Sequence, residues 1–430
     1  MKVFLRALRN NTEWQRLIRI ASSSAMLTGA NIASAMMMLL TIPFIIHSTG
    51  MAGYGVLVMI QAFALMLTRF FDGQAWQVYI RVVGLGYGKA AALRVGLMLD
   101  AITFLGILLA VLSASSFMQL WQKQMIPFDV GALFALSVLN QCVFSWVGVL
   151  RLEGKFRALA LTTLLPALFR LFALAILSTS GALNLRTIAW IYALTEIIRF
   201  MFIAGCGWRL LGKHTMMACK TPTTAWSAVR GFTFWNWLMN LVDLPVQYVD
   251  SLLVGRFLSL ELVGVYGAIK RIASVFSQIS APLYHVIFPE FTRLVAANAF
   301  SACQRLVWRS AWIMLGLGLL GMSMLYGLRS IWMPRFGLPL QYTAELFVFM
   351  TLQIGALAFT AIHPLMSALG LARVGFYIVL CSNFIFLILF YLLGQHYALM
   401  GVIVAAGVQF ALVVGAKVGV VTRYISEKLT

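Results

Sequence analysis

Two runs decide the fold: GFTFWNWLMNLVDLPVQYVDSLLVGRF at 231–257 and VGVYGAIKRIASVFSQISAPLYHVIFP at 263–289. Each is long enough to cross a bilayer as a helix. Each also carries polar or charged groups where lipid should be. Asn236, Asn240, Asp243, Gln247 and Asp250 follow one another at steps of 4, 3, 4 and 3 residues. On a helix that spacing makes one polar stripe along an apolar rod. In the second run Lys270 and Arg271 interrupt the apolar sequence. A charge at mid-membrane costs about 2.5–3.5 kcal/mol on insertion scales, so it must face protein or a water-filled cavity. Function is therefore sought first in this region.

The rest of the chain has the same character. It has 430 residues, of which 62% are hydrophobic and 10% charged; a soluble protein carries roughly 25% charged residues. The apolar runs predict twelve spans, at 21–46, 53–80, 95–117, 131–150, 158–180, 188–208, 231–257, 263–289, 310–328, 344–370, 374–394 and 398–421. Their connections are short and leave no room for a soluble domain. The first run is too long for a signal peptide and lacks a small-residue cleavage site, so it is expected to be retained. With the N-terminus in the cytoplasm, 21 of the 32 Lys and Arg residues fall on cytoplasmic segments. Only Lys123, Arg186, Arg329 and Arg335 fall outside. This bias predicts that both termini are cytoplasmic. Trp121, Trp208, Trp226, Trp308 and Trp332 sit near span ends, where interfacial belts form.

The net charge of +20 raises the question of nucleic acid. The positive-inside bias accounts for most of that excess, so nucleic acid is rejected as a partner. Cys142, Cys206, Cys219, Cys303 and Cys381 form no CxxC pair, and no disulfide or metal site is expected. His47, His214, His285, His363 and His396 are scattered and are read as structural. No P-loop, HExxH or GxSxG is present, which argues against an enzyme, a cofactor and ATP-driven transport by this chain alone.

The chain repeats weakly at an offset of 212 residues. Tyr54-Gly55 falls on Tyr266-Gly267, Arg81 on Arg293, and Ser24, Thr28 and Asn31 on Asn236, Asn240 and Asp243. Six spans per repeat keep the two halves in one orientation, so their pseudo-two-fold axis runs along the membrane normal. Parallel repeats of this kind occur in transporters, with the substrate site near the midplane between lobes. The expected architecture is all-α and integral to the membrane. It has an N-terminal lobe at 1–208, a cytoplasmic connector at 209–230, a C-terminal lobe at 231–430 and a central cavity between the lobes.

The remaining intramembrane charges divide into groups. Arg256 and Lys417 lie near span ends and are expected to snorkel to headgroups. Arg69 and Asp72, three apart, can pair on one helix face, as can Glu196 and Arg199. Arg170 has no acid within reach on its own helix, so a group from elsewhere must compensate it. Lys270 shares a face with Tyr266, Ser274 and Ser277 and is the better cavity-lining candidate, while Arg271 is placed to reach Asp243 or Asp250. Asp100 is read as hydrated near the cytoplasmic face, and Glu290 as a boundary residue. Cations exceed acids in the fifth, sixth and eighth spans. That suits an anionic substrate, and Arg suits phosphate because its fork binds two oxygens. Asp243 and Asp250 would then either exchange protons during transport or only neutralise Lys270 and Arg271.

Several motifs resemble the polysaccharide-type flippases, the Wzx group of the MOP superfamily. These are Gly53-Tyr54-Gly55 followed by Asp72-Gly73; Asp250-Ser251-Leu252-Leu253-Val254-Gly255; Val263-Gly264-Val265-Tyr266-Gly267; and Pro289-Glu290-Phe291-Thr292-Arg293. Gly148-Val149-Leu150-Arg151 with Lys155-Phe156-Arg157, and Ser367-Ala368-Leu369-Gly370, fit the same pattern. Each motif is loose; their order and spacing carry the resemblance. It implies two six-helix lobes in alternating access, probing both sides of a bacterial inner membrane. It implies an undecaprenyl-diphosphate-linked oligosaccharide repeat unit, of O-antigen, lipopolysaccharide or exopolysaccharide, moved to the periplasmic leaflet by an ion or proton gradient. A polysaccharide polymerase and chain-length proteins would be partners. Arg69, Arg170, Arg199, Lys270 and Arg271 fit substrate binding. Asp72, Asp243 and Asp250 fit coupling, and Asn31, Asn236, Asn240 and Gln247 line the cavity. A multidrug exporter of the same superfamily is the rival reading, although its cavity should be acidic. A membrane polymerase or ligase is a further rival, against which the short outer loops argue.

Overall fold

The computed structural model describes residues 12–122, 131–133, 136–137, 143–217 and 222–429. Lys123, Cys142, Cys219 and Lys220 lie outside them, as does much of the run at 131–150. Every element among the described residues is helical. In chain order they are α1 (Thr12–Phe71), α2 (Ala75–Gly84), α3 (Lys89–Gln122), α4 (Phe144–Leu152), α5 (Phe156–Thr179), α6 (Leu185–Met217) and α7 (Pro222–Leu244). A π turn, Pro245–Val249, leads into α8 (Asp250–Phe257). Then follow α9 (Leu260–Ala296), α10 (Phe300–Gly327), α11 (Arg329–Arg335), α12 (Thr343–Ala358), α13 (Ile362–Ala368) and α14 (Ala372–Leu429). Seven helical stretches among the described residues are long and apolar enough to cross a membrane, and the chain is a multi-pass membrane protein.

Breaks shape the longest helices. A straight helix of the 60 residues of α1 would extend about 90 Å, three times the bilayer core. Gly50, with φ 73° and ψ 172°, interrupts it. That conformation is open to Gly because it has no Cβ to clash. Both arms return to one core, through Ile42 and Ile45 before the break and Tyr54 and Leu57 after it. Ala398 breaks α14 in the same way, at φ 48°. A side chain held there stores about 1–3 kcal/mol, which the surrounding packing must overcome. A third break, at Asp72–Gln74, separates α1 from α2; the Gln74 main-chain N–H donates to Asp72 Oδ1 at 2.7 Å and stands in for the lost helix bond. The segment expected to connect two lobes is mostly helix: α6 runs to Met217 and α7 begins at Pro222.

The cores are distributed unequally between the two ends of the bundle. At the end formed by Gly50, the α5–α6 turn, Ser259 and Ala398, one core joins both halves of the chain. At the opposite end, where α1 begins and α14 ends, there are two separate cores. One draws on residues between Ala75 and Val229, the other on residues between Ile287 and Ile425. The joined end depends on a close crossing of α1 and α9. A Cβ on Gly55 would lie 1.9 Å from Leu260 O, and one on Gly264 would lie 2.3 Å from Met51 O. Overpacking of this kind costs about 1–3 kcal/mol, and here the obstacle is main chain that cannot rotate aside. Gly55→Ala is expected to lower the thermal midpoint in detergent and the yield of monodisperse protein. Gly29→Ala, with nothing within 4 Å of the added methyl, serves as control. Equal midpoints for the two variants would refute the crossing.

Candidate functional site

Arg170 finds its counter-charge on the neighbouring helix. Thr195 and Glu196 of α6 face α5, so Arg170 Nε donates to Thr195 Oγ1 at 2.8 Å and its NH2 donates to Glu196 Oε1 at 2.5 Å. The guanidinium lies over the Tyr192 ring, 4.4 Å from its centroid, an arrangement that adds cation–π attraction. Glu196 Oε2 accepts from Arg199 NH1 at 3.1 Å. Two guanidinium groups thus share one carboxylate, leaving one positive charge in excess. The Arg170 side chain is 11% exposed and that of Arg199 is 35% exposed, so Arg199 displays the excess.

The second cluster is built by the π turn. Pro245 lacks an N–H, which weakens the helix at that point, and the wider π turn leaves carbonyls available. Lys270 of α9 fills the gap. Its Nζ donates to Gln247 O at 3.0 Å, to Val246 O at 3.3 Å and to Asp250 Oδ2 at 2.6 Å. Tyr266, one turn earlier on α9, donates its hydroxyl to the same carboxylate oxygen at 2.6 Å. Asp250 Oδ1 accepts from the Ser251 main-chain N–H at 2.7 Å. The pairing differs from the sequence expectation: Lys270 rather than Arg271 meets Asp250, because the Tyr266–Lys270 face of α9 is the one turned to α8. Arg271 instead donates to Gln61 Oε1 of α1 at 3.4 Å, across the two halves.

The polar stripe of α7 meets both halves of the chain. Asn236 Nδ2 donates to Gln77 Oε1 at 2.9 Å, and Trp237 Nε1 donates to Phe70 O at 2.6 Å. Phe70 O is free to accept because α1 breaks one turn later, at Asp72–Gln74. On the other side Asn383 of α14 donates to Val242 O, and Gln409 donates to Asn383 Oδ1 at 2.9 Å. Asn31, Asp243 and Gln247 are exposed, and Asn240 is half-buried. Asp243 lies within electrostatic reach of Lys417 on α14 and Arg69 on α1, one cation from each half. Arg69 stands 3.9 Å from Asp72, with its side chain 47% exposed.

Three residues have surroundings that the sequence reading did not foresee. Lys417 is half-buried beside Asp243, and His363 at the start of α13 lies in the field of Lys417. Asp100 is buried rather than hydrated: Ser145 donates to its Oδ2 through both the hydroxyl and the main-chain N–H, the latter at 3.0 Å. The expectation failed because residue depth along α3 says nothing about α4 covering it. The close spacing of Asp72 and Asp100 across the α1–α2 break had no signal in either helix's own periodicity.

The described residues thus place Arg69, Arg199 and Arg271 on exposed or half-buried surfaces, and hold Arg170 and Asp250 in ion pairs whose acid is buried, with Lys270 half-buried against Asp250. No protein-family model matches the chain. The probable flippase AglR of Haloferax volcanii is 23% identical over 321 residues, which make up 73% of this chain and 62% of that relative. The inward-facing conformation of a multidrug resistance MATE family transporter of the MOP superfamily superposes with a TM-score of 0.74. It covers 96% of this chain and 98% of that one at 12% identity. The lipid II flippase MurJ in an inward closed conformation superposes with a TM-score of 0.68, over 93% of this chain and 87% of that one, at 14% identity. The chain therefore has the fold of these MOP-superfamily transporters.

Proposed function

We propose that the chain is a flippase that moves an undecaprenyl-diphosphate-linked oligosaccharide repeat unit from the cytoplasmic to the periplasmic leaflet of a bacterial inner membrane. In this reading twelve spans form two six-helix lobes, with both termini cytoplasmic. The shared core closes the periplasmic end, and the separate cores flank a cavity that faces the cytoplasm. The observation that carries the reading is the uneven charge of the α5–α6 cluster, two guanidinium groups on one carboxylate with Arg199 partly exposed. A diphosphate carries the opposite charge, and an Arg fork matches its oxygens. The likeness to a probable flippase supports the flippase activity. Arg199, Arg69 and Arg271 contact the diphosphate. Arg170 orients Glu196, and Lys270 fixes Asp250. Asn31, Asn236, Asn240 and Gln247 meet the sugars. A gradient drives the cycle, with Asp72, Asp243 and Asp250 as coupling acids, and Asp243 is the most exposed of them.

In a strain lacking this chain, Arg199→Ala is expected to reduce surface polysaccharide about tenfold or more, since a hydrogen bond to a charged group contributes about 1.5–3 kcal/mol. Arg199→Lys should keep part of the activity, and Arg256→Ala should match the unmodified chain. Wild-type polymer from Arg199→Ala would sink the assignment. A multidrug exporter is the second reading, favoured by the exposed Asp243 carboxylate and by the fold of the superposed MATE transporter. A cationic drug would be repelled by Arg199 and Arg69. Raised resistance to cationic dyes, with no effect on surface polysaccharide, would replace the flippase reading by this one.

A further inference from the structure

The N-terminal half contains a buried acid that neither substrate binding nor the α7 stripe uses. Asp100, one turn before Thr103 on α3, is 6% exposed. Its Oδ2 accepts twice from Ser145 of α4, whereas its Oδ1 is buried and has no hydrogen-bond partner among the described residues. A carboxylate oxygen left this way costs far more than the same oxygen in water. Asp72 lies within electrostatic reach and contrasts with it. One Asp72 oxygen takes the Gln74 N–H and the other faces Arg69.

The surroundings select the ligand. Of the elements packed on α3, the α1–α2 break brings Asp72, with Arg69 behind it. α4 brings the Ser145 hydroxyl and the main-chain N–H groups of Phe144 and Ser145, all uncharged, and no charged group of α6, α7 or α8 among the described residues reaches Asp100. A metal cation needs several oxygen ligands and space for them. Here a Cβ on Gly96 would lie 2.8 Å from Ser145 Cβ, and one on Gly73 would lie 2.9 Å from Leu99 Cδ2. The helices are in contact on both sides of Asp100, and both Ser145 groups that meet its carboxylate donate to it. A proton needs one oxygen and no room.

We propose that Asp100 is a proton-binding site, loaded and emptied as the α1–α2 break moves during transport. The route to the break is short. Thr103 Oγ1, one turn further along α3, donates to Phe71 O at 2.9 Å, and Trp237 of α7 donates to the adjacent Phe70 O. Ionisation of Asp100 beside Asp72 adds like-charge repulsion at the break that carries Arg69. Proton binding stands by itself, while the transport role rests on the gradient-driven reading above.

The test uses the full chain, purified in lipid nanodiscs without substrate. Infrared difference spectra between acidic and alkaline pH should show the C=O stretch of a protonated carboxyl that Asp100→Asn abolishes. Ser145→Ala keeps the acid but removes a donor to its oxygen, so the band should remain and move to higher frequency. This variant decides the matter if Asp100→Asn fails to fold. A carboxyl spectrum from which Asp100→Asn removes no band, and in which Ser145→Ala moves none, would overturn the site. In the knockout strain Asp100→Asn should lose surface polysaccharide, and wild-type polymer from it would overturn the transport role. Failure of the flippase reading looks different, since the unmodified chain itself would then not restore polymer.

Discussion

Glu196→Ala is expected to destabilise the protein by about 3–5 kcal/mol, the cost of removing one partner from a buried ion pair. Against a total stability of about 5–15 kcal/mol, that removes between a fifth and all of the margin. The loss falls on Arg170 rather than on Arg199. Arg199 is 35% exposed and can turn its guanidinium to water. Arg170 is 11% exposed and held between Thr195 and the Tyr192 ring, so its charge has nowhere to go. The cycle is therefore asymmetric. Adding Arg170→Met to Glu196→Ala should recover most of the thermal midpoint, since a hydrophobic replacement removes the stranded charge. Adding Arg199→Met should recover little. Midpoints measured in detergent by size-exclusion fluorescence rank the two rescues, and their non-additivity shows the coupling. Equal rescue by the two additions would show that the carboxylate serves both cations alike.

Asp250→Ala is expected to produce the second-largest loss, about 3 kcal/mol or more. It strands the Tyr266 hydroxyl, which is fully buried, and leaves Lys270 with only the Val246 and Gln247 carbonyls. Asp250→Asn should be milder, because the amide oxygen still accepts from Tyr266 or Ser251. The double variant Asp250→Asn with Lys270→Met separates two roles by surface polysaccharide in the knockout strain. If the pair only holds α8 against α9, activity should return with stability. If Asp250 carries coupling protons, the double variant should be stable and inactive. With Asp250 among the coupling acids, the double variant is expected to be stable and inactive, and recovered activity would remove Asp250 from that role.

The sequence by itself determined the class and the places to look. Apolar runs of bilayer length need no tertiary information, because the main chain in lipid must satisfy its own hydrogen bonds. The matching Tyr54-Gly55 and Tyr266-Gly267 pairs were visible in the same way, and the structure places their helices in direct contact at Gly55 and Gly264. The stripe from Asn236 to Asp250 was legible because helical periodicity is a local property. Which charge meets which was not. Arg170 and Glu196 are 26 residues apart on different helices, and only the rotation of α5 against α6 joins them. Lys270 and Arg271 are neighbours in sequence, and the π turn at Pro245–Val249 decides that Lys270 is the one to meet Asp250. Asp100 reads as a hydrated acid until α4 closes over it through Ser145. Each of these pairings depends on the depth and rotation of one helix relative to another, and those are set by breaks and interhelical packing that no single helix's sequence encodes.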